Sequence, residues 1–132
     1  MAAVLLIGFD AALLEGLAQT LAGAGHRPRL ATSPTDVAEQ APTAPPLVTV
    51  AERSTVMDAL HLPLAPGGAL IVYRAGDAAA APLPVVAQRA VLADLALPLE
   101  RHRLLALVAY VEERAARTGR ARNETPGEHR AL

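Results

Sequence analysis

The sequence predicts a three-layer α/β domain, in which a five-stranded parallel sheet is covered by about five helices on its two faces. Five short apolar runs alternate with segments of helical periodicity, a pattern typical of right-handed βαβ units. The strand-like runs are apolar almost throughout, as expected of strands that are buried on both faces. With 132 residues, of which 52% are hydrophobic, the chain is large enough for one such domain.

The first half of the chain contains the first three predicted strands and helices. The strands are predicted at residues 3–7, 29–32 and 47–50. Leucines at helical spacing follow the first strand, with Asp10 as the expected N-cap and Gly25 in a left-handed conformation past the helix end. Ser33 is the expected cap of the second helix. Ser54 or Thr55 is expected to cap a short third helix.

The second half of the chain contains two further strands and helices. The strands are predicted at residues 69–73 and 91–97. Between them, the Ala- and Pro-rich stretch 76–84 predicts a fourth helix that is short or irregular, around residues 85–90. A long fifth helix is predicted from about 100 to 117, because its leucines and valines form an apolar stripe. Residues 1–117 therefore form the predicted domain, and the polar residues 118–132 form a predicted disordered tail.

The composition excludes several kinds of site. The chain has no cysteine, so disulfides, thiolate metal sites and cysteine nucleophiles are excluded. The four histidines form no pair with metal-ligand spacing, and no glycine-rich phosphate-binding motif is present. A net charge of −1 gives no reason to expect nucleic acid as a partner. No apolar run is long enough to cross a membrane and no signal peptide is evident, so we expect a cytoplasmic protein. We also expect no bound cofactor.

Four stretches of the sequence resemble the receiver domains of bacterial response regulators, which are CheY-like. VLLIGFDAALLEGLAQTLAGAGH is similar to the first strand and helix of the family, and PPLVTVA to its third strand. ALIVYRA is similar to the fourth strand, and ADLALPLERHRLLALV to the fifth strand, the proline turn and the last helix. The resemblance implies a flavodoxin-like fold with the strand order 2-1-3-4-5.

The residues that carry phosphotransfer in that family are replaced in this chain. Gly8 and Phe9 stand in place of the two acidic residues that hold Mg²⁺ after the first strand. Ala51 stands in place of the aspartate that accepts the phosphoryl group. Phosphotransfer needs a carboxylate nucleophile and oxygen ligands for the metal, and none of these three side chains supplies either.

The other two positions of the family's switch also differ, while the proline is kept. Arg74 replaces the Ser or Thr that follows the fourth strand, and Leu97 replaces the lysine that neutralises the phosphoryl oxygens. Pro98 matches the proline of the family, whose preceding peptide bond is cis. The sequence therefore predicts a degenerate pseudo-receiver that lacks the phosphoacceptor and has no catalytic residue.

Three charged residues near the predicted carboxyl edge of the sheet allow alternative interpretations. Asp10 is either a residual metal ligand or a helix cap. Glu52 is either a mimic of a phosphorylated aspartate or a solvated loop residue. Arg74 either binds an anion or pairs with Glu52 or Asp10. A further expectation is that Phe9 fills the volume that a metal and its waters occupy in the family.

Two functions of different classes follow from these patterns. The first is a non-enzymatic signalling module in or beside a bacterial two-component phosphorelay, which contacts a protein partner or a second copy of itself. Its expected contact surface includes Leu99, Leu107, Tyr110 and Arg114. The alternative is a small-ligand domain that binds an anion in the remodelled pocket, with Arg74 as the anchor.

Overall fold

The structure is a computed structural model that describes residues 2–39, 44–75 and 82–131. Within these residues, five strands, β1 to β5, span Ala3–Ile7, Arg27–Ala31, Val48–Glu52, Ala69–Ala75 and Val91–Leu97. Five α-helices, α1 to α5, span Ala11–Gly23, Pro34–Glu39, Val56–Ala59, Val85–Ala90 and Arg101–Ala131. A single 3₁₀ turn at Arg53–Thr55 leads directly into α3.

The five strands form one parallel sheet in the order β2-β1-β3-β4-β5, which confirms the predicted fold class. β1 lies in the middle and pairs with both β2 and β3, while β2 and β5 form the two edges. The β4–β5 ladder shifts its register once, between Leu70 and Ile71. Because all strands are parallel, their carboxyl ends meet at a single edge of the sheet, where α/β folds bind ligands.

Alternating side chains of the strands enter two separate apolar clusters, one on each face of the sheet. On one face, the strands pack against α1 and α5, whose buried residues are Leu14, Leu17, Leu21, Leu104, Val108 and Val111. On the other face, they pack against the short helices, which contribute Val56, Ala59 and Ala87. The apolar stripes of the sequence therefore face the sheet, and the domain has the expected three layers.

The helix ends were mostly predictable from local chemistry. The Asp10 carboxylate accepts a hydrogen bond from the backbone N–H of Leu13, at 3.1 Å, and the Ser33 hydroxyl accepts one from Asp36 N–H, also at 3.1 Å. Gly25 has a φ of 91°, as predicted for a residue just past a helix end. Thr55 is an exception because its hydroxyl donates to the Glu52 carbonyl, at 2.8 Å, and caps no helical N–H.

Several element boundaries differ from those predicted. β2 begins at Arg27, two residues earlier than expected, because it continues the pairing that Ala3 starts on β1. α5 continues to Ala131, past residue 117, although the stretch beyond it contains Gly119, Pro126 and Gly127, which disfavour helix. The division of the chain at 117 and the disorder of 118–132 stay predictions. Of the stretch 76–84, residues 76–81 lie outside the described residues.

The remaining elements agree with the sequence interpretation. α4 is a helix of six residues, Val85–Ala90, and is as short as expected. The peptide bond between Leu97 and Pro98 is cis. None of the helices in the described part of the chain combines the length and the apolar composition that crossing a bilayer requires.

Candidate functional site at the carboxyl edge of the sheet

The positions that match the family's phosphorylation site come together at the carboxyl edge of the sheet. Gly8 follows β1 directly, and Ala51 on β3 lies in register between Ile7 of β1 and Val72 of β4. Arg74 lies near the same edge, opposite Ala96 of β5, and Leu97 is the last residue of β5. Ala51 and Leu97 are completely buried, so neither side chain reaches the solvent.

Tyr73 fills the space beside Gly8. Its side chain is only 1% exposed, and its hydroxyl donates to the carbonyl of Ile7 across 3.4 Å. A Cβ atom placed on Gly8 would lie 2.0 Å from this hydroxyl oxygen and 3.2 Å from the ring carbon that bears it. A side chain at position 8 and the Tyr73 hydroxyl therefore exclude each other in this arrangement.

The expectation that Phe9 fills this volume is wrong. Phe9 is 66% exposed and lies outside both apolar clusters. The reason is that Tyr73, which reaches across from β4, already occupies the interior on this side of the sheet. Phe9 instead lies in the short loop that leads to the Asp10 cap, and its ring faces the solvent.

The environment of the Tyr73 phenol stabilises its neutral form. Burial raises the pKa of Tyr73 from 10.0 to about 12, and the nearby charges of Glu52 and Asp10 act in the same direction. In a Tyr110→Phe variant, which leaves Tyr73 as the one tyrosine, we expect phenolate absorbance to appear with a midpoint near 12. Since the folded pKa is the higher one, this stabilisation is complete below pH 10 and lost as the pH rises towards 12. A midpoint near 10 would contradict the buried position.

Glu52 connects the end of β3 to the loop after β1. One carboxylate oxygen accepts from the backbone N–H of Phe9 at 3.5 Å, and the other accepts from the Ser54 hydroxyl at 3.0 Å. The side chain is half-buried, so it is not the freely solvated residue that one interpretation of the sequence expected. Of the two interpretations of Asp10, metal ligand or helix cap, the structure shows the cap: its side chain accepts from Leu13 N–H at the start of α1.

Arg74 belongs to an ion-pair cluster that was not predicted. Its guanidinium lies 3.8 Å from Asp94 on β5, and among the described residues it forms no ion pair with Glu52 or Asp10. Asp94 also forms a hydrogen-bonded ion pair with Arg53, whose side chain is only 14% exposed. Asp94 is accessible to Arg74 because the β4–β5 register places Arg74 opposite Ala96, two residues further along the same face.

This cluster lies beside a cleft of about 480 Å³ that opens between β4 and the helices on that face. Arg53 and Arg74 form part of its wall, together with Glu52, Ser54 and Tyr73. The apolar part of the wall is formed by Val56, Met57, Ala75, Pro82, Leu83 and Pro84. The cleft thus combines two cations and one carboxylate with an apolar surface, and small-molecule sites commonly combine a few polar groups with an apolar lining.

The described residues at this edge do not fit Mg²⁺, the metal that the receiver fold implies. Mg²⁺ requires several oxygen ligands in near-octahedral positions. Gly8 and Ala51 supply no side-chain oxygen, and the Tyr73 hydroxyl occupies the side of Gly8. Asp10 and Glu52 are the remaining carboxylates near β1 and β3, and one oxygen of each accepts a hydrogen bond from a backbone N–H group.

The predicted contact surface is partly accessible. Leu99 is 74% exposed and Tyr110 is 47% exposed. Leu107 is half-buried and packs against the α1–α5 side of the core. The Arg114 guanidinium donates to the Gly67 carbonyl at 3.1 Å and lies 5.6 Å from the centre of the Tyr110 ring. Sequence reasoning missed the two valines of α4, Val85 and Val86, which are 62% and 63% exposed.

Similar folds occur among solved structures of response regulators. NtrX from Brucella abortus, in complex with ADP, superposes with a TM-score of 0.70 at 14% identity, and the match covers 92% of this chain and 28% of NtrX. A CheY-like receiver domain from Methylobacillus flagellatus gives 0.66 at 13% identity, covering 84% of this chain and 98% of that domain. Full-length FixJ from B. japonicum gives 0.66 at 18% identity, covering 90% and 61%.

At these identities, the likeness concerns the fold. This chain spans only part of NtrX and of FixJ, and nearly the whole of the M. flagellatus domain. Neither a protein-family model nor a curated protein sequence matches it. The arrangement of strands and helices is that of a CheY-like receiver domain.

Proposed function

We propose that this protein is a non-enzymatic pseudo-receiver, which acts by protein contact in or beside a two-component system and accepts no phosphoryl group. The observation that carries the proposal is the contact between Tyr73 and Gly8. The volume where a metal-binding side chain would begin is filled by a buried tyrosine, whose hydroxyl lies 2.0 Å from the Cβ position of residue 8.

The chemistry of the remaining positions supports the same proposal. A phosphoacceptor must offer a nucleophilic oxygen, and the methyl group of Ala51 is completely buried between strands. A cation must neutralise the transferred group, and Leu97 supplies none. Glu52 carries the one carboxylate on β3, and its oxygens accept hydrogen bonds from Phe9 and Ser54.

A contact role is supported by exposed apolar residues on the side of the domain formed by α4, β5 and α5. Val85, Val86, Leu99 and Tyr110 are large apolar side chains that remain accessible there. β5 is an edge strand, and none of the strands in the described ranges pairs with its outer backbone groups. In this proposal, the surface takes a second copy of the chain or a signalling protein.

One experiment tests both parts of the proposal. The purified chain is incubated with acetyl phosphate and magnesium, and intact-mass spectrometry and light scattering are measured with and without the donor. We expect no gain of a phosphoryl group, and a molar mass that rises with protein concentration in the same way under both conditions. A receiver domain with an intact acidic site is the positive control. A phosphorylated species, or association that depends on the donor, would refute the proposal.

A second candidate function is supported by the Arg53–Asp94–Arg74 cluster. Here the domain binds a small anion in the cleft of about 480 Å³, with Arg74 as the anchor. Two guanidinium groups share one aspartate in this cluster, and Arg74 is the more exposed of the two. Binding of inorganic phosphate or acetate that is lost on Arg74→Gln is the result that this candidate requires.

A further inference from the structure

We propose that the cleft binds a small amphipathic monocarboxylate, with its head group at Arg74 and its apolar body along α3 and residues 82–84. This inference rests on the second candidate function and specifies its ligand. Arg74 and Tyr73 are consecutive residues of β4, and both contribute to the wall of this cleft.

The hydrogen-bonding state of Arg74 identifies the place of the head group. A guanidinium has several N–H donors in a planar fork that matches a carboxylate. The Arg74 side chain is 30% exposed, and its distance of 3.8 Å from the nearest Asp94 oxygen is too long for a hydrogen bond. Among the described residues, Arg74 therefore has a charge partner but no hydrogen-bond acceptor.

Arg53 holds Asp94 in place and leaves Arg74 as the accessible cation. The Arg53–Asp94 pair is hydrogen-bonded, and Arg53 is the more buried of the two arginines. A carboxylate that enters the cleft can reach Arg74 without breaking this pair.

Glu52 limits the charge that the ligand can carry. Its carboxylate lines the same cleft as the arginines. A dianionic head group, such as a phosphate monoester near neutral pH, would add a second negative charge close to Glu52, and like charges repel most strongly where solvent is excluded. A single carboxylate therefore fits the cleft better than a phosphate.

The apolar wall and the volume define the rest of the ligand. Val56, Met57 and Leu83 line the cleft beyond the arginines. Met57 is 46% exposed, so a ligand that covered it would remove apolar surface from water. The volume of about 480 Å³ lies in the range of small-molecule sites, roughly 300–1,000 Å³.

The test is a set of NMR titrations with acetate, hexanoate, hexyl phosphate, hexanol and inorganic phosphate. The signals followed are the guanidinium N–H groups of Arg53 and Arg74 and the methyl groups of Met57 and Leu83. We expect hexanoate to shift both sets of signals with a saturable curve, at least about tenfold more tightly than acetate, because of its additional methylene groups. Hexyl phosphate binds more weakly than hexanoate, and hexanol causes no saturable shift.

Four variants separate the contributions to binding. Arg74→Gln should weaken hexanoate about tenfold or more, and Arg103→Gln, a more exposed arginine on α5, should leave it unchanged. Met57→Ser should weaken hexanoate but not acetate. Glu52→Gln should strengthen the binding of hexyl phosphate more than that of hexanoate. Thermal unfolding of each variant verifies that it is folded.

The possible failures have different meanings. If acetate or phosphate binds at Arg74 but hexanoate binds no more tightly, the amphipathic ligand is refuted and the second candidate function remains. If no anion shifts the Arg74 signals, both are refuted. Equal losses in Arg74→Gln and Arg103→Gln would show a nonspecific charge effect and would also refute the inference.

Discussion

Replacement of Gly8 by alanine is expected to lower the free energy of unfolding by about 3 kcal/mol, which is the upper range for overpacking a core. The new Cβ would lie 2.0 Å from the Tyr73 hydroxyl oxygen. Tyr73 is only 1% exposed and belongs to the apolar cluster on the α1–α5 face, so a shift of its ring would disturb that packing. Urea-induced unfolding of the purified variants measures the effect.

A second substitution shows whether the hydroxyl is the cause. In the Tyr73→Phe background, the nearest atom to the new Cβ is the ring carbon at 3.2 Å, which needs only a small adjustment. Gly8→Ala should then cost about 1 kcal/mol or less, and the two substitutions should show strong coupling. Gly16→Ala on α1 is the matched control, because no atom lies within 4 Å of its Cβ position, and it should stabilise the helix slightly. Equal costs of Gly8→Ala in both backgrounds would exclude the hydroxyl as the cause.

Restoration of the acidic residue at the family's phosphoacceptor position should not restore a receiver. Ala51→Asp is expected to lower the free energy of unfolding by about 4 kcal/mol at pH 7, since it places an ionised carboxyl in a completely buried position. Ala51 packs against the short helices in the cluster that contains Ile7 and Val72, none of which offers a hydrogen-bond donor from its side chain. Thermal and urea unfolding measure the loss.

The pH dependence of this variant separates charge from size. Ala51→Asn has nearly the same shape without the charge, and it should cost about 2 kcal/mol. Burial raises the pKa of the introduced carboxyl, so the folded state prefers its protonated form. The extra loss in Ala51→Asp relative to Ala51→Asn is therefore larger at pH 7 and shrinks as the pH falls towards about 4. A difference between the two variants that stayed constant over this range would contradict the buried environment.

The fold was predictable because its local signals agree with one another. Apolar runs, caps such as Asp10 and Ser33, and the left-handed Gly25 all favour the same element order. The boundaries were less predictable, because strand ends depend on pairing. Arg27 does not look like a strand residue, but it belongs to β2 because β1 offers it a partner.

The candidate site was predicted only in part. The missing acceptor at Ala51 is visible in the sequence, but the occupant of the vacated volume is not, because Tyr73 and Gly8 are far apart in the chain. The alternation of β4 places Tyr73 on the same face as Ile71, and that was the available signal. The sequence around Asp94 contained a clearer signal. A single charge inside the apolar run VLADLAL requires an opposite charge nearby, and Arg53 supplies it.

The ion-pair cluster of Arg53, Asp94 and Arg74 also bears on how such a protein could carry information. It joins the region after β3 to β4 and β5 through charges that belong permanently to the chain. A phosphoryl group can be added and removed, whereas the charges of these three side chains are part of the chain itself. Under the proposed function, the output of the protein would therefore follow its concentration rather than a phosphorylation state.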